Sequence, residues 1–215
     1  MAPGLRQLSN VTQANGRMPH DDNSLMMLAR NGSEDAFMEL VSRYKNPMVG
    51  YIYRLTGNYE TAVDLAQDLF VKVFQNVHRY DPGLKFSTWI YKIATNLAID
   101  EIRRRKRRPV ADLPPDAARL SDSHPSDHDP YFVPRANPEQ QVLDREVQRH
   151  LFAALQGLDP ENRQLFLLKE VEQMPLEEIS RMTGLKVGTL KSRLFRIRGE
   201  LKERLSAYLH RGMPV

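Results

Sequence analysis

The chain has no cysteine among its 215 residues and only one tryptophan. Without thiols there is no disulfide framework, no thiolate zinc site and no thiol nucleophile, a composition that fits a reducing cytoplasm. No apolar run approaches the roughly 18 residues that span a bilayer, and the first residues lack the charged-then-apolar order of a signal peptide. A soluble, cytoplasmic protein without membrane insertion is therefore expected. Period-two alternation is missing as well, which argues against a sheet. A P-loop, a Ser/His/Asp constellation and paired carboxylates are all absent, so no enzyme and no cofactor are expected. What remains is an all-α protein with enough chain to bury a core in one large domain or two small ones.

Charge is present in blocks. The formal net charge is +4 and the pI about 9.3, but the distribution is sharper than the total. Arg181 to Arg211 holds nine Lys/Arg against two Glu, whereas Pro109 to Pro134 holds five Asp against one Arg. Basic, acidic and basic blocks in succession point to two polyanion-binding modules joined by something that is not one.

The most informative stretch is Leu84 to Arg108, which ends in six consecutive basic residues. At helical spacing Phe86, Ile90, Ile93, Ala94 and Leu97 form a stripe that can sit on a core. Trp89, Lys92, Asn96, Asp100 and Arg103 share the other side. A flat ring, an amide and cations on one face suit stacking on an unpaired base, bonding to its edge and neutralising phosphates. A lone Trp is usually core and a basic run usually solvated. Adjacency in one helical phase, up to Pro109, favours the functional reading.

Along the chain, residues 1–23 read as a disordered leader. A first helix is expected with Ser24 as N-cap, ending at Asn31-Gly32, and a second opens at Ser33 and is interrupted by Pro47. From Glu60 to Val77, Ala62, Leu65, Ala66, Leu69, Phe70, Val73 and Val77 make an apolar stripe, with Asp64, Asp68, Lys72 and Gln75 opposite. That acidic edge could dock on a basic helix of another protein. Residues 109–136 form a Pro-rich, acidic linker, flexible enough to serve two sites more than about 34 Å apart on DNA. His124, Asp127, His128 and Asp129 inside it read as solvated polar residues, so no metal is expected. Helices resume at 137, and Asp159-Pro160 restarts one.

Residues Leu176 to Met182, Thr183-Gly184-Leu185 and Lys186 to Arg198 read as helix, glycine turn, helix. Leu190, Leu194, Ile197 and Leu201 form the buried stripe of the last, leaving Ser192, Phe195, Arg196 and Gly199 outward with Lys191 and Arg193 on the flanks. An outward Phe on a soluble helix is a candidate contact with a thymine methyl or a sugar.

Three of these stretches resemble one family. Val187-Gly-Thr-Leu-Lys-Ser-Arg-Leu-Phe-Arg-Ile-Arg198 is similar to the −35-reading region of extracytoplasmic-function sigma factors, bacterial transcription initiation subunits. Independently, Asp64 to Phe74 resembles the family's core-polymerase-binding helix, and Phe86 to Asn96 its strand-opening helix. The resemblance covers about residues 24–108 and 137–210 and implies a region 2-like and a region 4-like domain, the latter with the helix-turn-helix. It implies that Asp64, Gln67, Asp68 and Phe70 contact the clamp of the polymerase's largest subunit, and that the flap of the second is also touched. It places Lys85, Phe86, Ser87, Thr88, Trp89, Lys92, Asn96 and Arg103 at single-stranded −10 DNA. Lys191, Ser192, Arg193, Phe195 and Arg196 fall at duplex −35 DNA. An anti-sigma factor is a further implied partner. The rivals are a dimeric helix-turn-helix regulator of duplex DNA, which leaves the Trp89/Asn96 face unexplained, and a protein-only adaptor, which leaves both basic blocks unexplained.

Overall fold

The computed structural model describes residues 21–107 and 138–209, with side chains in the second segment from 147 to 206. Among the described residues all regular structure is helical. Residues 1–20 of the leader expected at 1–23, and the whole linker expected at 109–136, His124 and His128 included, lie outside the described residues.

The first unit holds α1 (Asp22–Arg30), α2 (Glu34–Thr56), α3 (Tyr59–Gln75), a 3-10 turn (Val77–Arg79) and α4 (Phe86–Arg107). Helix α1 begins earlier than the sequence reading placed it. Asp21, not Ser24, is the N-cap, accepting from the Ser24 amide at 2.9 Å and from its hydroxyl at 2.8 Å. An anionic acceptor at the positive end of a helix outcompetes a neutral hydroxyl, and these bonds hold the Asp21 carboxyl below its ordinary range. Ser33 caps α2 as expected, through Ala36. The interruption expected at Pro47 does not occur. α2 runs through it because Met48, Tyr51, Ile52 and Leu55 are all fully buried in the next two turns. That burial outweighs one missing amide donor and the ring's clash with the preceding turn. Gly57, at φ 76°, ends α2 in the left-handed conformation, and Asn58 caps α3 through Thr61 at 2.8 Å.

Helix α4 starts where α1 places it. The Phe86 amide donates to Asn23 Oδ1 at 2.8 Å, and the Tyr80 hydroxyl donates to the Leu84 carbonyl at 2.6 Å. A side chain 63 residues away thus caps the strand-opening candidate and fixes its first turn.

The second unit comprises α5 (Pro138–Gln156), α6 (Pro160–Phe166), a π turn (Leu167–Val171), α7 (Leu176–Thr183) and α8 (Val187–Leu209). The extra residue in the π turn lets consecutive Leu167 and Leu168 both reach the core, each with no exposed surface. Gly184, at φ 74°, makes the turn between α7 and α8. Leu190, Leu194, Ile197 and Leu201 are buried as the periodicity indicates.

The two units are packed together. Tyr53 stacks on Phe152 with centroids 4.9 Å apart. The last carbonyls of α2 are capped from the second unit, Arg54 O by Gln156 Nε2 at 2.9 Å and Leu55 O by Arg163. A cation at a helix C-terminus is favoured by the helix dipole, and these carbonyls have no donor within α2.

Candidate nucleic-acid and polymerase interface

The acidic edge of α3 stands free. Asp64, Gln67 and Asp68 are exposed, while Phe70 is half-buried against the core. Large apolar side chains of α2 and α3 are exposed as well. Met38 is 62%, Val71 54% and Phe74 59% exposed, with Phe74 edge-on to Phe37 at 5.2 Å. Large apolar residues off the buried stripe of an amphipathic helix were the available signal, the same one that marked Phe195.

Helix α4 departs from the expected division into a core face and a free face. Phe86, Ile90 and Ala94 are fully buried, as the spacing requires. Trp89 is not a free flat ring. It is half-buried, edge-on to Tyr80 at 5.4 Å and tilted against Phe86 at 6.2 Å. Indole area is too large to leave in water when a tyrosine and a phenylalanine lie within reach. Thr88 and Tyr91 are buried too, where carboxylates of the second unit meet them, and so is Thr95. Thr95 pairs with the Tyr51 hydroxyl at 2.7 Å. Burial pushes that phenol upward.

Carboxylates of the second unit meet the donors of α4. Glu178 on α7 takes Lys85 Nζ at 2.6 Å on one oxygen and the Thr88 hydroxyl at 2.6 Å on the other. Glu172 accepts from the Tyr91 hydroxyl, and its other oxygen lies 3.7 Å from Arg54 Nη1. Glu161 meets Arg103 at 3.1 Å. Burial raises the Glu178 carboxyl, but the Lys85 and Thr88 bonds outweigh it and hold the group below the usual glutamate range. Glu172 moves the other way. Burial dominates there and raises it despite Tyr91 and Arg54.

The basic run is partly neutralised within its own helix. Glu101 accepts from Arg104 at 2.7 Å and Arg105 at 2.8 Å. Lys106 and Arg107 stay exposed. Lys92 and Asn96 are exposed on the remaining face and, with Arg103, line a cleft of about 430 Å³ whose far wall includes Leu185 and Arg193. The Asn96 amide and the cations Lys92, Arg103 and Arg193 share this opening with the carboxylates of Asp100 and Glu161, the latter paired with Arg103. Ser87 sits half-buried beside this first turn of α4.

On α8, Lys191, Ser192 and Arg196 are exposed, and Phe195 is 78% exposed, while Arg193 is half-buried toward the cleft. A benzyl ring kept in water beside cations, on the second helix of a helix-turn-helix, fits contact with a major groove.

Family profiles agree with this division. One described as Sigma-70 region 2 matches residues 40–108, and one described as Sigma-70, region 4 matches residues 148–201. Over 176 residues the chain is 32% identical to the ECF RNA polymerase sigma factor SigW of Bacillus subtilis, a match covering 82% of this chain and 92% of that one. It is 37% identical over 170 residues to the ECF RNA polymerase sigma factor SigE of Mycolicibacterium smegmatis, covering 79% of this chain and 62% of that relative's length. Among solved structures, CnrH in complex with the cytosolic domain of CnrY superposes with a TM-score of 0.59 at 26% identity, covering 86% of this chain and 97% of CnrH. The sigma factor RpoE of Bartonella quintana, solved with the anti-sigma factor NepR, shares the fold with a TM-score of 0.59 at 22% identity, covering 81% of this chain and 98% of that one. No described helix is long and apolar enough to cross a membrane. With both conserved regions present in order, each on its own helical unit, the chain belongs to the extracytoplasmic-function branch of the sigma-70 family and is an alternative sigma factor, a transcription initiation factor and not an enzyme.

Proposed function

We propose that this sigma factor works in the cytoplasm through three faces, mounted on a domain at 24–108 and another at 137–210 joined by the linker 109–136. Asp64, Gln67 and Asp68, backed by Phe70 and by exposed Val71 and Phe74, dock on the clamp of the largest subunit of core RNA polymerase. The second domain rests on the flap of the other large subunit. Asn96 and the stretch from Lys85 to Thr88 capture an unpaired −10 base, with Lys92 and Arg103 at its phosphates and Trp89, held edge-on to Tyr80, bracing the turn. Lys191, Ser192, Arg193, Phe195 and Arg196 read −35 duplex.

The observation that carries this reading is the separation of charge by helix. An acidic, partly apolar face on α3 stands apart from a cleft where Lys92, Asn96 and Arg103 lie with Asp100 and Glu161, and from an exposed Phe195 among cations. A single small module buries only about 600–1,000 Å² on DNA, too little for firm promoter choice. Two weak readers on one polymerase gain by effective concentration. Extruding a base costs a few kcal/mol, which phosphate contacts and the amide help offset. CnrH and RpoE were solved with protein partners, CnrY and NepR. An anti-sigma factor that masks the same faces is accordingly a partner here.

The test is binding to bacterial core RNA polymerase, with Asp64→Arg/Asp68→Arg beside the wild type. Tight binding by the wild type, weakened at least tenfold by the reversal, is expected from loss of attraction plus repulsion at two positions. Absence of core binding, with sequence-specific duplex binding by a dimer of the free protein, would replace this reading with the regulator.

A further inference from the structure

The buried stripe of α4 runs on into charge. Ile90, Ala94 and Ala98 are fully buried, and the next positions of the same face are Glu101 and Arg105. Glu101 is 8% exposed, although a carboxylate leaves water only at a cost unless donors replace its hydration. Two arginines of its own helix do so, each with its Nε. Arg104 donates to Oε2 at 2.7 Å and Arg105 to Oε1 at 2.8 Å. Burial raises the Glu101 carboxyl, but these bonds outweigh it and hold the group below the ordinary glutamate range.

Which nitrogen is spent decides what each arginine can still do. A guanidinium is rigid and planar, so with Nε taken its two Nη groups point away from the anchor as a pair suited to a phosphate. Arg104 is in that state. Its side chain is 57% exposed, and among the described residues neither Nη has a hydrogen-bond partner. Arg107 is anchored alike, its Nε on the Arg103 carbonyl at 3.2 Å and its side chain exposed. The two lie one turn apart on one face, rising about 4.5 Å along the helix. Arg105 differs. It spends Nε on Glu101 and Nη2 on the Thr61 hydroxyl in the first turn of α3, so its guanidinium bridges two helices.

We infer that Glu101 sorts the basic run at the end of α4 into phosphate binders and a strut. Arg104 and Arg107, anchored through Nε, take phosphates that flank the −10 base. Arg105 ties α4 to the polymerase-docking helix α3 and makes no DNA contact. Glu101 is a positioning residue: it aims Arg104 before DNA arrives and so removes the cost of ordering that long side chain on binding. This rests on the −10 reading of α4 made above. The charge of Glu101 itself opposes DNA, so aim and attraction have opposite signs. Removing the carboxylate tightens binding if it merely neutralises two arginines, and loosens it if it aims them.

The experiment uses holoenzyme carrying the full chain and a −10 DNA with one strand left unpaired, taken from a promoter at which that holoenzyme initiates. Affinity is measured across a salt series. Arg104→Gln and Arg107→Gln are each expected to weaken binding and to lower the slope of log affinity against log salt by about one, the mark of one lost phosphate contact. Arg105→Gln is expected to leave the slope unchanged and to lower the urea midpoint instead. Glu101→Gln keeps the shape of the side chain, but its amide nitrogen cannot accept from a guanidinium. Binding should therefore weaken about threefold to tenfold although a negative charge is gone. Unchanged or tighter binding in Glu101→Gln, or a slope that falls as far in Arg105→Gln as in Arg104→Gln, would overturn the inference. Arg104 and Arg107 are exposed, so their variants decide the sorting even where Glu101→Gln does not fold. Failure of the −10 reading has a separate signature. Lys92→Ala and Asn96→Ala would then bind this DNA as wild type does, and the sorting would fall with that reading. Weaker binding in those two, with the slope unchanged in Arg104→Gln, would sink the sorting alone.

Discussion

Replacing Arg163 by methionine keeps most of the alkyl chain and removes a guanidinium that joins the two units. Arg163 is 6% exposed and donates to the carbonyls of Leu155 at 2.9 Å, Gln156 at 2.6 Å and Leu158 at 3.1 Å, to Gln156 Oε1 at 2.5 Å, and to the Leu55 carbonyl at the end of α2. Burial lowers its affinity for the proton without neutralising so strong a base. Each buried acceptor left without a donor costs about 1–3 kcal/mol, and some are reached by water once the units loosen. A loss of about 3–5 kcal/mol follows, a large share of the roughly 5–15 kcal/mol that holds a domain folded. Lysine should recover less than half, since one ammonium cannot serve carbonyls spread around a planar fork. Urea unfolding followed by circular dichroism, and separately by the lone Trp89, measures the effect on the whole chain and on the first unit. A loss below about 1 kcal/mol in Arg163→Met, or full recovery by lysine, would mean that the guanidinium does not hold these carbonyls together.

Phe195→Ala should leave stability within about 0.5 kcal/mol, because the ring is 78% exposed, while −35 duplex binding in the holoenzyme weakens about fivefold to tenfold. Electrophoretic or anisotropy titrations beside a thermal melt check both halves. Gly184→Ala should cost about 1–2 kcal/mol although nothing lies within 4 Å of the added Cβ, since φ 74° is strained for any L side chain. Urea midpoints read it directly. Glu178 and Glu172 should respond to pH with opposite sign. Glu178, held below the ordinary 4.5, contributes stability above that value and loses it as pH falls through its lowered one. Glu178→Gln should therefore be less stable than wild type by about 1–2 kcal/mol at pH 7, with the gap closing in acid. Glu172 is raised, so its favourable neutral form is present below 4.5 and lost as pH rises through the elevated value. Glu172→Gln should match or exceed wild-type stability at pH 8, checked by urea midpoints across pH 4–8.

Local signals carried most of the elements. Ser33 and Asn58 cap as their side chains allow, Gly57 and Gly184 take the left-handed turns, and the α8 stripe is buried position by position. Pro47 misled because its local penalty is smaller than the burial of the two turns after it, a tertiary quantity. The partial burial of Trp89 was not legible because a helical wheel gives direction but not the reach of Tyr80 across the turn from 80 to 86. The closed arrangement was illegible for a different reason. Thr88 meets Glu178 and Tyr91 meets Glu172 across 90 and 81 residues of sequence. A glutamate on the first helix of a helix-turn-helix looks solvated until its partner is known. The exposed ring of Phe195 was legible because it breaks the expected pattern. The apolar companions of the acidic edge, Val71 and Phe74, carried the same signal.

A sigma factor selects promoters on a polymerase. The most direct test of that role is run-off transcription by core RNA polymerase from a promoter library, with and without the protein, and with Asn96→Ala and Arg196→Ala beside it. Initiation that depends on the protein at two-part sites, with −10 preference altered by the first substitution and −35 preference by the second, is the predicted result. Initiation no different from core alone, at any promoter in the library, would show that the protein does not direct promoter choice.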